Sequence, residues 1–214
     1  MPSCGLIETD AACELWDYWN ALRGDCQGVP GRESFSALRI PESLPYMFVT
    51  EPVDDGLTFR LMGTALAELT PPAAVQATSL DSLDSDEHGF FIALCHFRSR
   101  RAQVSLRWSR LMMTSGRRVG FEFLHLPMSG ADRNKWQIFG CIVPRELVAP
   151  GECFAYGRDF ERIDAIWLDG LDARLTAADI PADMSDYFAR HRTPVHFAPI
   201  DTGLPELVPA RAAG

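Results

Sequence analysis

The chain has 214 residues, enough for one packed core with an appendage, and 47% of them are apolar, which argues against a disordered polymer. Its formal net charge of -9 works against sequence-independent nucleic-acid binding, which basic side chains supply, so nucleic acid is not an expected partner. Six cysteines show neither a Cys-x-x-Cys pair nor zinc-finger spacing, and no run approaches the roughly 18 uncharged residues of a membrane span, so reduced thiols, no membrane and a cytoplasmic location are expected.

Over Asp10–Arg23 the apolar residues Ala12, Leu15, Trp16, Trp19 and Leu22 recur at three and four. This spacing predicts a helix with one buried face, capped by Thr9 and ended by Gly24. Leu15, Trp16, Trp19 and Leu22 must bury a large apolar area, either on the domain's own sheet or against a second copy. That helix is therefore the expected interaction surface, with a homodimer as one outcome. Residues 25–45, rich in glycine and proline, read as a loop with a short helical turn. Residues 46–50 and 57–62 read as two strands joined across Asp54-Asp55-Gly56.

Short helical pieces interrupted by Pro71 and Pro72 come next, then a clearer helix over residues 84–101. Its acids stand at the start and its arginines at the end, as the helix dipole favours. Three longer strands, 103–114, 117–128 and 136–144, follow as an antiparallel meander. In the middle strand Val119, Phe121, Phe123 and His125 share one face, while Leu124, Leu126 and Met128 crowd the other. A sheet apolar on both sides must be covered on both sides. The first helix is the natural cover for the outer face, and the helices between strands two and three cover the inner one. After Pro150, residues 163–168 read as a further strand and residues 181–192 as a helix, followed by a loosely held, proline-rich tail.

Several short motifs occur in a fixed order. They are Tyr18-Trp19-Asn20-Ala21-Leu22-Arg23-Gly24 with Pro30 and Arg32, Leu44-Pro45 with Phe48, Phe59-Arg60-Leu61-Met62-Gly63-Thr64, Leu126-Pro127-Met128-Ser129, and Ile138-Phe139-Gly140. Together, over residues 12–145, the chain resembles a bacterial PAS-domain family of often stand-alone proteins, formerly described as a domain of unknown function. Members of that family carry an Arg-Asp-Leu-Thr-Gly-like segment after the second strand. Here the corresponding stretch is Thr-Pro-Pro-Ala-Ala-Val-Gln-Ala-Thr-Ser-Leu, without that arginine or glycine.

The resemblance implies an α+β, PAS-like fold: a five-stranded antiparallel sheet with helices on its inner face and the N-terminal amphipathic helix on its outer face, within residues 1–149. Residues 150–214 form a C-terminal extension. It also implies a non-enzymatic sensory or regulatory module that binds a small molecule, a signalling protein partner, or both. The alternatives are a haem- or flavin-carrying sensor and a pure protein-interaction domain with a filled core.

A sheet roofed by short helices leaves a small apolar cavity of the kind that takes small molecules. Its candidate lining residues are Phe91, Leu94, Cys95, Trp108, Phe121, Phe123 and His125; each also has a plain reading as core filling. No cofactor is identified. His88 and His96 on the longer helix offer a poor haem signal, since helical periodicity turns His96 toward the polar side. The acids Asp81, Asp84, Asp86 and Glu87 lack the order of a calcium loop and read as helix capping. No nucleophile elbow, phosphate-binding loop, dinucleotide fingerprint or zinc-protease motif is present, and Cys95 and His96 point to different helix faces, so no catalytic residues are expected.

Overall fold

The structure is a computed structural model and describes residues 7–24, 29–53, 56–71, 103–130, 136–168 and 195–200. The apolar period of the first segment produces helix α1, Asp10–Arg23, which stops where Gly24 adopts a φ of 55°. Short 3-10 turns at Arg32–Ser34, Ala37–Arg39 and Leu44–Tyr46 carry the chain to strand β1, Met47–Val53. Strand β2, Gly56–Met62, returns beside it, and helix α2, Thr64–Leu69, follows. The meander consists of β3, Gln103–Met113, β4, Arg118–Ser129, and β5, Trp136–Pro144. Strands β6, Phe154–Leu168, and β7, Val195–Ile200, complete the described elements.

The sheet order is β2-β1-β5-β4-β3-β6-β7. Its first five members are the strands expected from the sequence, and all their pairings are antiparallel. The expected five-stranded sheet nevertheless continues. Strand β6 starts at Phe154, well before the 163–168 segment, and pairs along β3 from Gln103 to Met113; β7 then adds in parallel. The physical reason is the long edge of β3, whose backbone donors and acceptors need partners. The division expected at residue 150 thus falls just before a strand of the same sheet. The predicted helices at 84–101 and 181–192, and the tail beyond residue 200, lie outside the described residues.

Alternation along β4 sorts the two faces. Leu124, Leu126 and Met128 join Trp16, Trp19 and Phe139 in the outer core beneath α1. Phe121 and Phe123 face the other way, with Leu111, Val119 and Leu69 of α2. A third group on that inner face gathers Phe48, Leu66 and Ile138, with Phe59 and Met62 against them. Leu15, Trp16 and Trp19 are 1%, 4% and 2% exposed, so the helix closes on the chain's own sheet and these side chains are not an open surface. Leu22 packs partly buried against the same core.

The motifs named above turn out to be contact partners. The Trp19 indole donates to the Pro127 carbonyl at 2.9 Å. The Ser129 backbone N–H donates to the Pro30 carbonyl at 2.9 Å. Arg32 lies over the Phe139 ring at 5.4 Å. A Cβ on Gly63 would stand 2.2 Å from the Leu44 carbonyl oxygen, so only glycine permits the close passage between the end of β2 and the Leu44-Pro45 turn.

Candidate functional site

Two places in the sheet combine buried polar groups with an apolar setting, one on each face. On the outer face, Glu122 of β4 is fully buried under the start of α1. Its Oε1 accepts from the Glu8 backbone N–H at 2.8 Å and from the Trp108 indole at 3.1 Å. Its Oε2 accepts from the Thr9 backbone N–H at 2.9 Å and from the Thr9 hydroxyl at 2.5 Å. Four donors converge on the two oxygens, which is the hydrogen-bonding demand of a carboxylate rather than of an amide.

The carboxylate sits at the positive end of the helix dipole. Thr9 does occupy the cap position, but its hydroxyl goes to Glu122 instead of capping its own helix. Burial pushes the Glu122 carboxyl above the ordinary carboxylate value, against the opposing pull of the Thr9 hydroxyl and the two backbone N–H groups. Beside this anchor, Arg145 pairs with Glu8 at 2.7 Å along a polar cleft of about 330 Å³ that Arg110 and Gly120 also line. Farther along α1, Ser43 donates its hydroxyl to the Ala11 carbonyl at 2.6 Å and its N–H to the Glu14 carboxylate at 2.8 Å. The outer face is therefore closed by α1, which is held by both polar bonds and packing.

On the inner face, Phe121, Phe123 and His125 alternate along β4 as the sequence predicts, and all are buried. Across the sheet, His125 lies opposite Gly140 of β5, and Gly140 lies opposite Phe48 of β1. The absence of a side chain on Gly140 lets the Phe48 ring lie over the middle strand. A Cβ there would come 2.4 Å from Phe48 Cζ and 2.3 Å from the Leu124 carbonyl oxygen. The ring thereby reaches His125, 5.3 Å away in an edge-on arrangement, and meets Phe59 of β2 at 6.0 Å on its other side. Thr50, two residues beyond Phe48, is a second polar residue on this floor and is 3% exposed.

One sequence-based grouping does not survive. Trp108 pairs with Glu122 across β3 and β4, so both side chains point to the outer face, away from Phe121 and Phe123. Strand parity explains it: with Ser109 opposite Phe121, the neighbouring Trp108 must emerge on the other side. The expected lining residues Phe91, Leu94 and Cys95 lie outside the described residues. Thr50 and Glu122 were not singled out from the sequence, and Phe48 and Gly140 entered only as motif residues and not as members of the lining set. A lone acid inside the apolar run of β4, and a glycine inside an equally apolar strand, were the available signals.

Among the described residues no group of three or more His, Cys, Asp or Glu side chains is placed to hold a metal ion. No described helix is long and apolar enough to cross a membrane. A family model described as PAS domain matches residues 7–143 of the chain. Neither the curated proteins nor the solved structures give a match.

Proposed function

Because the chain belongs to the PAS domain family, whose members are sensory or regulatory modules, we propose that it is a non-enzymatic sensor that takes a small molecule on the inner face of its sheet and passes its state to a signalling protein partner in the cytoplasm. One observation carries this reading: the two faces are built differently. The outer face is sealed by α1, whose Trp19 bonds to Pro127 of β4, whose Trp16 packs in the same core, and whose Ala11 carbonyl accepts from Ser43 of the turn region before β1. The inner face presents an aromatic floor of Phe48, Phe121 and Phe123 with buried polar residues set into it, the composition of a small-molecule site. Phe121, Phe123 and His125 are the residues of the original grouping that support it.

The partner surface assigned to Leu15, Trp16, Trp19 and Leu22 finds no support in their burial. On α1 the exposed positions are Asp10, Asp17 and Ala21, and these form the side a partner would read.

Native mass spectrometry of the purified chain tests the proposal. A co-purifying small molecule whose binding is lost in Phe123→Trp, with the fold kept, supports it. A haem or flavin spectrum in the visible range would convert it to the cofactor-carrying alternative. A protein that carries nothing and takes up no small apolar probe at millimolar concentration would leave the filled-core interaction domain.

A further inference from the structure

Among the described residues, Thr50 of β1 is a buried polar residue on the inner face whose hydroxyl the fold leaves unused. It is 3% exposed, and its Oγ1 makes no hydrogen bond among the described residues. Buried hydroxyls in folded proteins nearly always have a partner, so such a group points to one that comes from outside the chain. The strand is also shaped for it. The register of β1 against β2 shifts between Val49 and Thr50, so that Thr50 faces Phe59 and the extra residue, Arg60, is displaced to the outer side, where it pairs with Glu51. Bulges of this kind re-aim side chains beside functional sites.

The surroundings define what the hydroxyl can meet. Thr50 lies opposite Phe59 on one side and Ile138 on the other, with Phe48 two residues away on the same face. The described inner-face side chains of β1, β2 and β5 carry no formal charge. A charged group would find no counterion among these described side chains, and a purely apolar one would leave the hydroxyl unpaired. From this we infer that Thr50 is the specificity determinant of the inner-face site and that it selects a neutral, flat, largely apolar molecule bearing a single hydroxyl or carbonyl group. This inference rests on the reading of the inner face as a small-molecule site, and it adds the ligand's chemistry and the residue that recognises it.

Calorimetric binding of p-cresol and toluene, which differ by one hydroxyl, separates the two claims. In the wild-type chain both bind. In Thr50→Val, which keeps the shape and removes the hydroxyl, the ratio of p-cresol to toluene affinity falls about tenfold while toluene binds as before. Thr50→Ser retains the wild-type ratio and serves as the folded control should the valine variant be unstable. An unchanged ratio in Thr50→Val overturns the inference and leaves the inner-face site standing; it would also be the result if an ordered water satisfied the hydroxyl. If neither compound binds the wild-type chain at millimolar concentration, the site and the inference fall together.

Discussion

Replacing Glu122 by alanine tests whether one buried carboxylate fastens α1 to the sheet. The substitution leaves the Glu8 and Thr9 backbone N–H groups, the Trp108 indole and the Thr9 hydroxyl without the acceptor they share. Orphaned buried donors cost about 1–3 kcal/mol each, and water entering the vacated space recovers part of that. The expected loss is about 3–5 kcal/mol, in line with breaking other buried charged contacts. At roughly 2–4 °C per kcal/mol for a chain of this size, the melting temperature should drop by about 10 °C.

Glu122→Gln is milder. Turned with its amide nitrogen toward Thr9, glutamine keeps the Glu8 and Trp108 bonds and lets the Thr9 hydroxyl accept, so that only the Thr9 backbone N–H loses its partner. A loss of about 2 kcal/mol is expected. Urea unfolding followed by tryptophan fluorescence measures both variants, and amide exchange over residues 7–23 shows whether α1 loosens first. An alanine variant within 0.5 kcal/mol of wild type, as surface substitutions usually are, with unchanged protection of α1, would refute the reasoning.

The same residue sets a pH dependence. Its folded-state pKa is raised above the ordinary 4.5, so the folded state holds the proton more tightly than the unfolded chain. Glu122's contribution to stability is then fullest below pH 4.5 and declines as pH rises through its folded-state value, a slope that Glu122→Gln should remove from the unfolding profile. Gly140→Ala forces a Cβ against the Leu124 carbonyl and the Phe48 ring and should cost about 3 kcal/mol by equilibrium unfolding, with Phe48→Leu in the same chain partly relieving it. Cys141 is fully buried and its thiol is pushed up by that burial, so iodoacetamide at neutral pH should leave it unmodified in the folded chain and label it in urea, as peptide mass mapping would show.

The elements that span their own apolar period were legible before any coordinates. The helix carrying Trp16 and Trp19, the first hairpin and the three-stranded meander are each fixed by local spacing, and the structure has them at nearly the expected bounds. The inward set Phe121, Phe123 and His125 was legible for the same reason, since alternation within one strand sorts its own faces. Trp108 was not. Its face depends on its register with β4, and register is a relation between two strands that neither states alone. The reach of β6 along β3 was missed for a related reason, because an edge becomes visible only when the sheet order is known.

The motifs show the division most clearly. The sequence alone determined that Trp19, Pro30, Gly63, Phe139 and Gly140 recur in a family-like order, together with the helix and strand periods that carry them. Only the tertiary structure decided what they do: Trp19 bonds to Pro127, Pro30 to Ser129, and Gly140 opens a path for the Phe48 ring to reach His125. Glu122 and Thr50 follow the same division. Both stand as polar residues in apolar strands, yet among the described residues one is saturated by four donors and the other meets no partner, because hydrogen bonding inside a protein depends on which distant segments are brought within about 3 Å.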